Sequence, residues 1–571
     1  MRLIQLSANH TSFKTVNFNK TGLTIIVGSK SSTGETYNGV GKSLLIEILH
    51  FCLGSNKKDV FEASIPQWEF TLKFDIDDVP HEVSRNTSKQ SVFLLNHVEV
   101  SQTEFNKWMQ ERLFNIPNDI KKLTFRSLLP KFMRQGNKHY VDPRDTGDQS
   151  DYDRLIRNAF LLGIDTHLVA KKCDLRDEIV RIKALRSNFK NDTLLKDFYS
   201  GGKDSEIYLS HLEETIKRLE RDKNNFVVAE DYYQLQTKAD DLAKQINEDK
   251  NKIFMYRNAI NNINESIKEQ PDLPIERVKL LYKELENTFK PDSLKRLQDV
   301  SEFHKKLLEN RIARLSKEKL ALAQHQQNAE GLLKPKQKEL DKTLGLLGEA
   351  RALDQYTSIV NQIADFKSQA DRLRDYKKIE REYSDQEAGL AKQLSDEVIK
   401  TNVYLDETKE LRDKHNNLFK TFVSAFYPSK LAGISVHNND GDNKLRFNLD
   451  VHVENDSSDG INEVRIFCYD FTLLTLREGH SIRFTFHDSR LYANMDVRQR
   501  ATLFRTAHEV MKNLGLQYIA TLNPDTISGM EGELSSEELK SIIYDNVVLE
   551  LKDDSDEGKL LGIQVDMHYE G

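Results

Sequence analysis

The sequence is poor in several things at once. It has three cysteines, Cys52, Cys173 and Cys468, odd in number, far apart and without CxxC spacing. That excludes a disulfide framework and a cysteine-built zinc site, and fits a reduced, cytoplasmic setting. No apolar run approaches the ~18 to 20 residues of a membrane helix, so no membrane partner is expected. The start, MRLIQLSANH, lacks the apolar stretch and cleavage site of a signal peptide. With 11 prolines and 25 glycines in 571 residues, the chain has fewer breakers than its length would need as a string of small domains. Only 38% of residues are hydrophobic and 30% are charged, yet 28 Phe and 19 Tyr are too many for a disordered chain. Folded lobes plus a long, solvent-exposed helical region satisfy both facts. Against 83 Lys+Arg stand 90 Asp+Glu, a net charge of −7. This excludes a generally basic nucleic-acid coat and leaves a local binding groove open.

The composition shifts twice. Residues 1–165 carry strand-like runs such as LTIIVG (23–28) and FTLKFDI (70–76), divided by Gly, Asn and Ser turns. Residues 166–426 are charged and largely free of strand patterns. Residues 427–571 return to strands in KLRFNLDVHV (444–453), SIRFTFHD (481–488) and LQYIATLN (516–523).

In the middle region, alternate steps of three and four pass through Leu235, Ala239, Leu242, Ile246, Asp249, Ile253, Tyr256, Ile260, Ile263 and Ile267. Nine of these ten positions are apolar or aromatic, and the intervening ones are mostly polar. A 3.5-residue repeat of that length predicts a coiled-coil seam. A shorter one follows at Ile359, Ile363, Phe366, Ala370 and Leu373. The other reading is two amphipathic helices in a compact bundle. Pro271, Pro274 and Pro291 interrupt the pattern, predicting an antiparallel hairpin that turns near 271–300 and brings both folded ends together. Gly201-Gly202, Pro335, Gly345 and Gly348 mark breaks in the arms.

The sharpest local signal is NGVGKS at 38–43, after the apolar run 23–28 and before the helix-like SLLIEILHFCLG (43–54). Strand, glycine-rich loop and helix are what a phosphate-binding loop needs. Backbone N–H groups of Asn38, Gly39, Val40 and Gly41 would face phosphate oxygens, helped by the positive end of the helix dipole. Lys42 would neutralise the β/γ-phosphates of a nucleotide, whether in a kinase, a GTPase or an ATPase, and Ser43 would place a hydroxyl on Mg²⁺. The usual pattern has Gly at 36, where this chain has Thr36; SKSSTGETY (29–37) reads as an inserted bulge.

This loop, a long coiled-coil insertion and a strand-rich C-terminal lobe together resemble the structural-maintenance-of-chromosomes class of ABC ATPases and its repair relatives. The resemblance implies an α/β ABC-type P-loop head built from 1–165 and 427–571, interrupted by an antiparallel coiled-coil arm at 166–426. It implies two heads sandwiching two ATP molecules, hence a second copy as partner. FMRQGN (132–137) resembles the Q-loop, which gives Gln135 to Mg²⁺ and the γ-phosphate. SSDGINEV (457–464) resembles a degenerate signature, which sets Ser458 and Gly460 on the γ-phosphate of the opposing head. SIRFTF followed by HDS (481–489) resembles Walker B, with Asp488 on the metal side. Asp496 in NMDVRQ falls at the D-loop aspartate.

Two departures bear on chemistry. Position 489, where the family keeps its catalytic Glu, is Ser, which is no general base near neutral pH without an activating partner. QYIATLN ends in Asn523, where a switch histidine is usual, and Asn carries no proton. Asp488, Ser489 and Asn523 thus form a catalytic set suited to slow hydrolysis, or to a base supplied from elsewhere.

NGVGKS, HDSRLYANMDVRQ and QYIATLN together are similar to a bacterial subgroup tied to ABC-three-component and Lamassu-like anti-phage or anti-plasmid systems. That resemblance implies a sensor role, with double-stranded DNA or its ends, a middle component and an effector such as a nuclease as partners. The alternatives are a DNA-repair or chromosome-maintenance ATPase, and a low-turnover ATP-binding scaffold that restrains an effector. Lys57-Lys58, Lys121-Lys122, Lys171-Lys172, Arg181/Lys183 and Lys377-Lys378 are candidate phosphate contacts, each also readable as ordinary surface charge.

Overall fold

In Glu69–Ile76 the alternate residues Phe70, Leu72, Phe74 and Ile76 are buried, the pattern of a strand with one face on a core. The computed structural model describes residues 1–29, 39–147, 149–191, 205–225, 230–268, 291–346 and 352–565. They form two compact units, Met1–Arg181 with Gly389–Gly571, and Ile182–Ala388. The first therefore reaches past the compositional boundaries at 165 and 427.

The first unit holds three sheets. Strands β1 (Arg2–Ala8), β2 (Val16–Asn17), β4 (Glu69–Ile76), β5 (Val79–Asn86), β6 (Val92–Leu95) and β7 (Val98–Ser101) form an antiparallel sheet in the order β2-β1-β4-β5-β6-β7. Its hairpins turn at Asp77-Asp78 and Asn96-His97, all at positive φ, the backbone that tight two-residue hairpin loops require. Strands β3 (Gly22–Ser29), β10 (Phe484–His487), β11 (Gln517–Leu522) and β12 (Val547–Lys552) form a parallel sheet in the order β10-β11-β3-β12. All of β11 and the interior of β3 are buried, so these strands read as unbroken apolar runs. Strands β8 (Ala432–Asn438) and β9 (Phe447–Val453) pair separately.

Helix α1 (Lys42–Cys52) is buried at every position except Ser43 and packs on β4 and β5. Its C-terminal carbonyls are met by buried Arg85, which donates to Phe51 O at 2.7 Å and lies over the Phe51 ring. A cation at that end also opposes the negative pole of the helix. The remaining long helices of this unit are α2 (Gln102–Leu113), α3 (Asp151–Leu161), the start of α4 (Thr166–Asn191), the end of α8 (Ala352–Glu407), α9 (Lys409–Phe426), α10 (Asp459–Leu476) and α11 (Val497–Leu514). Leu175 and Ile179 of α4 pack on Leu390 and Leu394 of α8.

The second unit contains α5 (Ser205–Asn224), α6 (Glu230–Lys268), α7 (Pro291–Leu346) and the remaining parts of α4 and α8. All ten seam positions from Leu235 to Ile267 are buried or half-buried. Asp249, the polar member, is ion-paired to Lys336 of α7 at 2.6 Å. Lys238–Glu339, Tyr256–His325 and Arg311–Ser266 contacts give α6 and α7 an antiparallel register. The residues between them, 269–290, hold most of the expected turn and lie outside the described residues.

Two expectations need correction. Pro335 sits inside continuous α7 rather than at a break, because packing along α6 outweighs the ~3 kcal/mol cost of an interior proline. The arm is also not a single hairpin. Lys223 of α5 pairs with Asp240 of α6 at 2.6 Å, although 17 residues of continuous helix would span ~25 Å. Moreover, α8 meets both helices, through Ala370 against Leu212 and Ile216, and through Ser368 bonded to Asn251. Thus α5 and α6 run antiparallel, and the second seam packs within a helical bundle. Gly201-Gly202 and Gly348 lie outside the described residues; Gly345 stands one residue before the end of α7. The expected class, an α/β head from both chain ends interrupted by long antiparallel helices, is the one the chain adopts.

Candidate functional site

The parallel sheet puts β11 between β3 and β10, so three strand ends converge at one edge. From β3 the chain passes to Gly39 and Gly41, at φ 83° and 108°, and enters α1 at Lys42. Asn38 lies outside the described residues. Val40 is buried. Lys42 Nζ donates to Asn523 Oδ1, just past β11, at 2.7 Å. Gly28 makes room for that ammonium: a Cβ on it would stand 2.5 Å from Nζ. Burial pushes the Lys42 pKa down to about 8, although Asp488 opposes the shift.

One residue further on, Ser43 Oγ donates to Asp488 Oδ2 at 3.2 Å. The other carboxylate oxygen, Oδ1, accepts from Ser489 N at 2.6 Å, Thr521 Oγ1 at 2.7 Å and Ser489 Oγ at 3.2 Å. Tyr140 Oη accepts the Asp488 N–H at 3.0 Å. Asp488 is thus held on one oxygen and presents the other beside a hydroxyl. Two hard oxygens in that position suit Mg²⁺, which takes few protein ligands and keeps several waters. Among the described residues no group of three His, Cys, Asp or Glu side chains could hold a metal.

His487 points the other way. It is fully buried, its Nε2 3.0 Å from Asp470 and its Nδ1 3.2 Å from the Tyr518 hydroxyl. Arg134 binds the same Asp470 with two nitrogens, at 2.5 and 2.7 Å. Burial opposes ionisation of Asp470, but the Arg134 guanidinium holds its carboxyl below the ordinary value. Next in sequence, Gln135 is positioned because Phe132 and Met133 bond alongside Phe486 of β10. Its Nε2 donates to Glu47, one helical turn beyond Ser43 on α1.

A second group forms around the start of α10. Ser458 is its exposed N-cap, and Gly460 is buried. Glu463 accepts Asn494 N at 3.0 Å and Nδ2 at 2.9 Å, and burial raises its pKa to about 7. Asp496, exposed, caps α11 through Gln499 at 2.7 Å. A Cβ on Gly460 would lie 2.7 Å from Asn494 O. Any side chain there would strike the protein's own 494–499 turn.

Lys42, Ser43, Asp488, Ser489 and Asn523 therefore meet, with Gln135 joined through Glu47, while Ser458, Gly460 and Asp496 gather on the other group. Sequence reading missed Thr521, Tyr140, Glu47 and Glu463. Thr521, two residues before Asn523 on the same strand, was within reach of the motif; the others needed tertiary contacts. Of the candidate phosphate-contact cations, Lys58, Lys122, Arg181, Lys183 and Lys377 are ion-paired to carboxylates. Lys172 is buried and donates to Asn439 O at 2.6 Å.

No helix among the described residues is long and apolar enough to cross a membrane. Residues 422–565 match the family model described as "Uncharacterised protein conserved in bacteria (DUF2326)". The chain is 21% identical over 572 residues to the "Uncharacterized protein YydD" of Bacillus subtilis (strain 168), covering 90% of this chain and 91% of that one. Among solved structures it is similar to the Smc head domain with a coiled coil and joint from Pyrococcus yayanosii, at 13% identity, 98% and 96% coverage and a TM-score of 0.37. A second is the Smc head with an extended coiled coil bound to the C-terminal domain of ScpA, from Pyrococcus furiosus, at 12% identity, 93% and 91% coverage and a TM-score of 0.33.

Proposed function

We propose that the chain is an ATP- and Mg²⁺-binding, slowly hydrolysing coiled-coil ATPase that uses nucleotide-driven head pairing as a switch. One observation carries this: the Lys42 ammonium, the Ser43 hydroxyl and the Asp488 carboxylate converge where a glycine loop enters a buried helix. Lys42 would meet the β/γ-phosphates, and Ser43 with Asp488 would hold Mg²⁺, which when bound neutralises phosphate charge. Thr521 and the Ser489 N–H fix the orientation of Asp488. Ser489 stands where the resemblance expects a catalytic glutamate, and its Oγ donates to the Asp488 carboxylate instead of acting as a base, which supports slow turnover. The test is equilibrium binding of ATP with and without Mg²⁺, in the parent and in Lys42→Ala. Binding that the variant retains in full refutes the site.

The motif resemblance extends the proposal to a bacterial defence role, in which DNA is sensed by paired heads and the signal passes to an effector. DNA affinity that rises with ATP and falls steeply with salt is the expected result. The paired state of so many candidate cations favours a second reading, an ATP-bound scaffold that restrains a partner protein without gripping DNA. DNA affinity indifferent to ATP, with ATP-dependent partner retention, selects it.

A further inference from the structure

Beyond β12 the chain doubles back and passes along the outside of the glycine loop. Leu560 N–H donates to the Val40 carbonyl at 3.0 Å, and Lys14 N–H donates to the Leu560 carbonyl at 2.9 Å. The Ser12 hydroxyl donates to the Leu561 carbonyl at 2.6 Å. Leu560 and Leu561 are buried in the main core. A Cβ on Gly41 would stand 2.5 Å from the Leu560 Cβ, so the two backbones lie as close as glycine allows. Gly562, at φ +66°, is pressed on the Ser12 carbonyl, and any side chain there would collide with it. One short segment is thus stitched to two loops, residues 12–14 and residues 40–41.

The physics of a phosphate loop gives this contact a purpose. Successive N–H groups can converge on an anion only if the intervening carbonyls turn outward, and a buried outward carbonyl needs its own donor. Val40 precedes Lys42 by two residues, and the Leu560 N–H is the donor its carbonyl finds. The loop also departs from the usual glycine pattern at Thr36, so an external support has more to do here. We propose that Gly558–Gly562 is a brace that positions the phosphate loop, making ATP affinity depend on a segment about 520 residues away in sequence. This rests on the nucleotide reading above. Because coupling is reciprocal, ATP must in turn tighten the brace.

The experiment uses the full-length chain and Mg-ATP. Amide hydrogen exchange at Leu560 is followed with and without ATP, and ATP affinity is measured for the parent, Ser12→Ala and Gly562→Val. ATP is expected to slow Leu560 exchange. Gly562→Val is expected to lose about tenfold in affinity, and Ser12→Ala, which removes one bond, about two- to threefold. Leu560 exchange that ignores bound ATP, or parent-like affinity in Gly562→Val, overturns the brace while leaving the site intact. If Gly562→Val does not fold, exchange in the parent decides. A parent that binds no ATP overturns the nucleotide reading itself, a result distinct from either.

Discussion

If Lys42 meets the nucleotide phosphates as proposed, its burial makes nucleotide affinity a function of pH in a defined window. Without ligand its pKa is pushed down to about 8, burial being the cause and Asp488 a partial opponent. Phosphates bind the ammonium and raise its pKa, so binding takes up a proton wherever the free site has lost one. Affinity is therefore full below about pH 7 and declines as pH rises through 8. The penalty factor of 1 + 10^(pH − pKa) makes the apparent Kd about twofold weaker at pH 8 and about tenfold weaker at pH 9. Stability of the ligand-free protein moves oppositely. The depressed folded-state pKa is a cost of folding below pH 8, relieved between 8 and the ordinary lysine value of 10.5. Weaker binding at pH 9 thus cannot be ascribed to the unfolding of this site. Titration calorimetry from pH 6.5 to 9.5, in two buffers of different ionisation enthalpy, reads both Kd and proton uptake. Lys42→Ala should bind weakly with no such slope. A flat Kd in the parent, or the same slope in Lys42→Ala, refutes this account.

Asp488→Asn should fold, since an amide oxygen can still accept from Ser489 N and Thr521, but should lose the Mg²⁺ dependence of ATP binding; an unchanged magnesium titration contradicts the assignment. Ser489→Glu should raise single-turnover hydrolysis by about 10²-fold or more if a missing base limits the rate, whereas no change in rate places the limit elsewhere. Asp470→Ala leaves Arg134 charged and buried on backbone carbonyls alone, without its carboxylate, so urea unfolding should show a loss of roughly 3–5 kcal/mol; a loss under ~1 kcal/mol would mean the pair is not buried as described. Asp249→Leu should leave helix melting unchanged or raise it, because half-buried Lys336 can turn its amine to water while a leucine completes the seam; marked destabilisation would show that the ion pair itself holds the register.

What could be read from the sequence was whatever is encoded locally. The seam from Leu235 to Ile267 needs only its 3.5-residue period, and each position is buried or half-buried. Buried parallel strands such as β3 and β11 announce themselves as apolar runs. The reversal between α5 and α6 does not, for no Gly or Pro stands between Asn224 and Glu230, and the contacts that fix it, Lys223–Asp240 and Ser368–Asn251, join distant residues. Pro335 misleads for the same reason: local chemistry predicts a break that helix packing overrides. The contact of Leu560 with Val40 carries no motif, since a backbone N–H donor leaves no mark on residue identity.

His487 and Asp488, neighbours at the end of β10, are turned to opposite sides by strand geometry. The motif resemblance assigns Asp488 to the metal side, although His487 also stands at the end of the apolar strand. Successive side chains of a strand leave on opposite faces, so only one of two neighbours can reach Ser43. His487 takes the inner face, closed in by Asp470, Tyr518 and the Phe467 ring. Burial lowers its pKa against the pull of Asp470, and the ring seals the core. Asp488 takes the outer face, toward Ser43. The next residue, Ser489, begins a helical turn that folds its hydroxyl back on Asp488. A glutamate there would have no hydroxyl to donate, and repulsion from Asp488 would turn its carboxylate away, toward a water. The same turn that holds Asp488 thus puts a hydroxyl rather than a carboxylate at position 489, which agrees with the slow hydrolysis proposed above.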